Sequence, residues 1–297
     1  MPEARTPKRE HLWASWLPLA LLPSVALFLR NRVTAWEFMW ALAFAIFAGL
    51  KWFTWWSAKT RVSHTPWRSA AYLLMWPGMD ADSFLDAKLR AEKPKARQWF
   101  AAFVKAGLGA FCLWFLARQV PSVAPLLRGW MGMLGLILLL HFGSFHVIAL
   151  VWQSFGIAAE PIMRAPLRSH SLSEFWGKRW NLGFRQLSHD LIFRPTYKKL
   201  GPHGAGFLVF LVSGLLHDLV ISVPARGGYG LPTLYFAIQG AGVAAEHSPI
   251  GKRVGLARGL PGWVFMAIVT AVPAFWLFHP PFVRNVILPF MKAIGAL

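Results

Sequence analysis

Eight apolar runs divide this 297-residue chain, and they leave room for few architectures. A run of about 17–25 apolar residues crosses a bilayer as a helix. The runs are 12–29, 34–56, 99–116, 129–152, 206–222, 231–245, 260–279 and 281–297; the sixth is short, and the last either spans or re-enters. Lipid offers no partner for backbone N–H and C=O groups, so each spanning run must satisfy its own by forming a helix. The expected fold is therefore all-α and polytopic, with about eight transmembrane helices plus interfacial helices in a single membrane-embedded domain over 1–297. Composition agrees. Only 14% of residues are charged, where soluble domains carry about 25%. Seventeen tryptophans suit a chain with many membrane interfaces. A single cysteine, Cys112, excludes an intrachain disulfide or a Cys-rich zinc site.

The formal net charge is +19. On a soluble protein that would point to nucleic acid. Here the basic residues lie between apolar runs, so the bilayer's anionic headgroups or an anionic substrate are the expected partners, and nucleic acid is not. Alternate loops carry 22 and 6 Lys and Arg residues. The positive-inside rule then puts the N-terminus and the long loops 57–98 and 153–205 in the cytoplasm. The polar start, residues 1–10, leads into a run without an A-x-A-like cleavage site, which reads as a retained first span. With an Ala-, Arg-, Gly- and Pro-rich composition, this points to a multi-pass protein of a bacterial inner membrane.

Local patterns organise the two long loops. Residues 67–85 mix Trp, Tyr, Leu and Met with charges, as a helix lying in the interface would. Ser171-x-x-Glu174 is a capping box that starts a helix at Leu172, and that helix would carry 175–181. An amphipathic stretch, 184–193, is expected to end at Pro195. Asp80-Ala-Asp82 formally matches a nucleotide–metal DxD element, but the Ser-Phe-Leu after it reads as a helix start, where Asp is favoured.

An ionisable group at membrane depth is costly and marks a functional site by default. His217 sits in the run 206–222. At 1.5 Å per residue it lies roughly 17 Å from Gly206, near mid-membrane. Ser213 and Gly214 precede it by four and three positions, so its helix face is small and polar, as a ligand cavity would need. Asn181 lies 36 residues earlier in Phe175-Trp176-Gly177-Lys178-Arg179-Trp180-Asn181. On a helix, Gly177 would clear room beside Asn181, and Trp176 and Trp180 would stack as an apolar wall. Lys178 and Arg179 add positive charge near the expected cytoplasmic side. A neutral imidazole can take a proton from a hydroxyl. An amide can donate to a developing oxyanion. A basic entrance suits a polyphosphate-bearing donor. Together the parts describe acyl transfer from acyl-CoA, as co-substrate, to a hydrophobic alcohol, with no cofactor and no metal.

At these residues the chain resembles a known family. Residues 175–181 followed by Ser-Gly-Leu-Leu-His-Asp at 213–218 look like the paired motifs of the membrane-bound O-acyltransferases, in the wax-synthase-like branch. The resemblance implies that Asn181 and His217 form the reaction centre. It also implies a tunnel through the membrane, acyl-CoA entering from the cytosol, and a lipid-like acceptor. Asp218 departs from the Glu that many relatives carry, and the chain is short for the family.

Other readings compete residue by residue. His217 can simply bond a neighbouring helix, Asn181 can cap or pack, Trp176 and Trp180 can anchor an interface, and Lys178 and Arg179 can serve topology alone. His141 and His146 are five apart, a poor spacing for a metal pair on one helix face. A lipid or small-molecule transporter is the alternative class. Its pathway would be marked by intramembrane charges, yet Glu37 sits near a span end and Lys51 and Lys105 are placed to snorkel. The matched halves common in transporters are not visible. A membrane scaffold without activity is the third reading, and the small, apolar setting of His217 argues against it.

Overall fold

The computed structural model describes residues 12–297, and among them every regular element is helical. The expected cytoplasmic N-terminus, 1–10, lies outside the described residues. The elements are α1 (Leu12–Leu27), α2 (Ala35–Ala58), the short α3 (Pro66–Met75) and α4 (Ala81–Leu85), α5 (Ala96–Gln119), α6 (Pro125–Ser154), α7 (172–179), α8 (Leu182–Ala225), α9 (Leu231–His247), α10 (Pro249–Val254), α11 (Gly259–Leu277) and α12 (280–293). Five of these, α2, α5, α6, α8 and α11, are long and apolar enough to cross a membrane; α1 is a shorter apolar helix. The chain is thus an all-helical polytopic membrane protein. Large apolar side chains face outward along these helices, including Phe44, Phe100, Phe111, Leu215 and Val272. A soluble surface would not carry such a belt; lipid tails would cover it.

Local chemistry sets the helix limits. Thr34 opens α2, and the Glu37 carboxylate accepts both its N–H (2.8 Å) and its hydroxyl (2.7 Å). Glu37 therefore works at a helix end, as its position implied. Asp80 opens α4 by accepting from the Ser83 N–H at 3.0 Å, while Asp82 pairs with Arg61 at 2.7 Å. The Asp-x-Asp pattern is a cap and a salt bridge. Close packing follows small residues: a Cβ on Gly109 would stand 2.3 Å from the backbone of Leu139, so α5 and α6 meet through glycine.

Two expectations need correction here. Lys51 does not snorkel. It is fully buried, its Nζ lies 3.3 Å from the centre of the Tyr72 ring, and it donates to the Gly78 carbonyl. The Tyr72 hydroxyl in turn meets Thr54 Oγ1 at 2.7 Å. These contacts latch the α3–α4 segment onto α2, so the lysine stem has no path to water. Pro195 does not end its helix either. A π-helical turn at His189–Phe193 precedes it, and helical backbone continues through it to Leu200. The break falls at Gly201 (φ 67°, ψ 178°), just before Pro202. Only glycine reaches that backbone region without strain. Proline tolerates the first turn of the new segment. That segment, 202–225, is longer than the run 206–222 read from hydropathy. Its rise of 1.5 Å per residue makes it about 36 Å long.

Candidate active site

The motif segment 171–181 begins where its capping box predicts. The Ser171 hydroxyl accepts from the Glu174 N–H at 2.9 Å, and the Glu174 carboxylate accepts from the His170 N–H at 2.8 Å. That N–H, joined by the Arg179 guanidinium at 2.6 Å, holds the Glu174 carboxyl below its ordinary value against opposing desolvation. A third acceptor arrives from a distance. The buried Glu246, near the end of α9, takes the Leu172 N–H at 2.6 Å and the Ser173 N–H at 3.3 Å. The free amides and positive pole of a helix N-terminus favour a carboxylate there. Sequence reasoning missed Glu246, which sits one residue beyond the apolar run that was taken to end at 245.

The motif is not one continuous helix. It widens into a π-helical turn at Phe175–Arg179; Trp180 is then extended and Asn181 adopts the left-handed conformation (φ 46°, ψ 56°). Asn is among the few side chains that tolerate this region. Asn181 therefore does not share a helix face with Gly177, contrary to the helical expectation. Its N–H lies 3.3 Å from Met163 Sδ, and Leu182 N–H donates to the Ile162 carbonyl at 2.9 Å, tying the turn to residues 162–163. The Asn181 carboxamide has no hydrogen-bond partner among the described residues and keeps part of its surface accessible. Space beside Gly177 is open: a Cβ there would meet nothing within 4 Å.

His217 is the fixed point on α8. Its Nδ1 lies 2.7 Å from the Ser213 carbonyl. A carbonyl only accepts, so Nδ1 carries the proton and Nε2 presents its lone pair. Ser213 holds His217 through its backbone carbonyl. The ring packs on Phe236 of α9, with centroids 4.5 Å apart. Gly214 does not border empty space: a Cβ there would stand 2.7 Å from the Thr233 Cα and 3.3 Å from the Phe236 Cβ. The small residue admits α9, and the cavity expected on that face is filled by helix packing.

Phe236 joins the two motifs. Trp176 lies 5.7 Å from it and 5.8 Å from Phe210, so one aromatic ring separates Trp176 from His217. Trp176 Nε1 donates to Gln239 Oε1 at 3.2 Å, and the buried Gln239 donates to the Val269 carbonyl at 2.8 Å. Trp180 stacks on Phe175 at 5.3 Å, meets Trp176 edge-on at 6.3 Å and reaches Phe142 of α6 at 6.2 Å. Gln239 was invisible as a functional residue because a lone amide in an apolar run has no distinctive spacing. Of the two motif cations, Arg179 is spent on Glu174, whereas Lys178 is exposed and has no ion pair among the described residues. A cavity of about 280 Å³ lies behind Phe210, lined by Phe193, Phe207, Gly240 and Val243 with His203 and His247. The structure thus brings Trp176, Trp180 and His217 into one aromatic wall. It puts Asn181 in the turn that follows that wall.

Residues 159–238 match the model of the Membrane bound O-acyl transferase family. This stretch holds both motifs and Phe236, and the match bears out the resemblance to that family. Among individual relatives, a probable long-chain-alcohol O-fatty-acyltransferase 7 of Arabidopsis thaliana is 30% identical over 147 residues, covering 44% of this chain and 42% of the relative. A long-chain-alcohol O-fatty-acyltransferase of Simmondsia chinensis is 28% identical, covering 44% and 41%. An acyl-CoA–sterol O-acyltransferase 1 of Arabidopsis thaliana is also 28% identical, covering 46% and 44%. The chain thus spans less than half the length of each of these relatives.

Proposed function

We propose that this chain transfers an acyl group from acyl-CoA to the hydroxyl of a lipid-like alcohol inside the membrane. The observation that carries the reading is the His217–Ser213 hydrogen bond, which leaves Nε2 as a free base on a helix long and apolar enough to cross the membrane. In this reading Nε2 takes the proton of the acceptor hydroxyl as that oxygen attacks the thioester carbonyl. The tetrahedral oxyanion forms beside an amide donor, a role assigned to Asn181. The C–S bond then breaks, and the departing thiolate takes the proton back from His217. The products are one ester and one free CoA. Trp176 and Trp180 wall the hydrocarbon, and Gly177 leaves room for it. Lys178 supplies charge for the CoA phosphates; Arg179 orders the motif through Glu174. Gly214 serves packing and is given no contact with substrate. Long-chain alcohols are the first acceptors to test and sterols the second, following the printed names of the relatives. The same reading places the basic loops 57–98 and 153–205 on the cytoplasmic side.

The test is acyl transfer by the purified protein in detergent. Acyl-CoA donors of graded length would be supplied with long-chain alcohols, sterols and diacylglycerol, and free CoA and new esters read by mass spectrometry. The expected result is ester and CoA in equal amounts, lost in folded His217→Ala and strongly reduced in Asn181→Gly. A folded wild type that releases no CoA with any pair would overturn the reaction class.

A further inference from the structure

The carboxylate next to His217 is fully engaged. Asp218 Oδ1 accepts from the Ser222 hydroxyl and the Gly230 N–H, both at 2.8 Å; Oδ2 accepts from the Thr233 N–H at 3.0 Å and from the Thr233 hydroxyl. Four donors fill the capacity of a carboxylate. No lone pair remains for a proton from His217 or from a substrate, so Asp218 is not a proton relay. Its partners show what it does instead. Gly230 precedes α9 and Thr233 lies in its first turn. Asp218 therefore caps α9 from the neighbouring helix, satisfying amides that a helix N-terminus leaves free. One turn further along α9, Phe236 lies against the His217 ring. The Thr233 backbone seats against Gly214, in the turn before His217.

A second layer orients the carboxylate. The Phe282 N–H donates to His279 Nδ1 at 3.2 Å, so a neutral His279 carries its hydrogen on Nε2. That Nε2 lies 3.2 Å from Ser222 Oγ, which accepts from it and turns its own hydrogen toward Asp218. Ser222 and His279 are wholly buried. Gly228 presses on the His279 ring: a Cβ there would stand 2.4 Å from ring atoms.

We propose that Asp218 is a positioning residue for His217, acting through the first turn of α9, with Ser222 and His279 orienting its carboxylate. Only the kinetic arm of its test rests on the acyl-transfer reading. Asp218→Asn sets an NH₂ against a backbone N–H, which can only donate, whichever way the amide turns. Thr233→Val removes a single donor and keeps the backbone amide, so it carries the test if Asp218→Asn does not fold.

The full chain in detergent is treated with diethyl pyrocarbonate, and modification of each histidine is followed by mass spectrometry. His217 in either variant is expected to react about threefold faster or more, while the exposed His189 keeps its rate; a general loosening would move both. Hydrogen exchange at 230–236 should quicken in parallel. Turnover should fall about tenfold with the KM for acyl-CoA unchanged, the pattern of a lost transition-state alignment. Unchanged His217 reactivity in a folded variant whose 230–236 amides exchange faster overturns the positioning role. Unchanged exchange overturns the clamp. A wild type without turnover sinks the acyl-transfer reading, and the modification and exchange data still decide the role of Asp218.

Discussion

His217 and Asn181 differ in how they are held, and that difference governs how each should be probed. His217 is oriented by one hydrogen bond and one ring, so His217→Gln keeps much of its volume and should still lose catalysis by about two to four orders of magnitude. Asn181 is oriented by its backbone. Asn181→Ala would confound loss of the amide with about 1–2 kcal/mol of left-handed strain; Asn181→Gly removes the amide alone. The expected outcome for Asn181→Gly is a wild-type melting temperature with a large fall in kcat, measured on the same preparation. The two glycines beside these residues should behave oppositely. Gly214→Ala drives a methyl into the Thr233 backbone and should cost about 1–3 kcal/mol of stability. Gly177→Ala meets nothing in the protein, so its melting temperature should not move. An increased KM in that folded variant would show that substrate uses the space; an unchanged KM would remove Gly177 from the site.

Among the elements, α9 organises the site although it carries neither motif. Its first turn is held by Asp218, its middle supplies Phe236 and Gln239, and its end supplies Glu246 to the start of α7. Glu246→Gln keeps the size but weakens the contacts of two amides, Leu172 and Ser173, to a charged acceptor, each of a kind worth about 1.5–3 kcal/mol when intact. Hydrogen exchange at 172–175 should quicken in that variant while α2 keeps its protection. Uniform exchange across the chain would instead make Glu246 a global stability element. Acid acts on the same turn through Glu174. Its carboxyl is held below its ordinary value in the folded state, so its contribution is present above the unfolded value of about 4.3 and lost as pH falls through the folded one. Protection at 170–175 should therefore hold at pH 6 and fall only below about pH 4.

For the whole molecule, the first test is topology. In a Cys112→Ser background, single cysteines at the exposed positions Val123 and Leu167 should label from opposite sides of the membrane, Leu167→Cys from the cytoplasm. Labelling of both from one side would overturn the charge-based orientation. The helical architecture was legible in the order of the residues because lipid permits a spanning run few other conformations, and hydropathy alone measures run length. The capping box at Ser171 and the cap at Asp80 were legible for the same reason: each acts within four residues. His217 stood out as a candidate because an ionisable group in an apolar run is costly. Everything that depended on a partner from another helix was not. Nothing local told that Lys51 would find Tyr72 and Gly78 instead of water, or that Gly214 would admit Thr233 instead of a ligand. Nor did it tell that the helix would break at Gly201 after passing Pro195. The sequence by itself determined which segments are helices and which side chains stand as candidates for the chemistry, since these follow from local bonding and transfer energies. Only the tertiary structure decided what surrounds them, because a side chain's neighbours across helices depend on packing that no run of adjacent residues encodes.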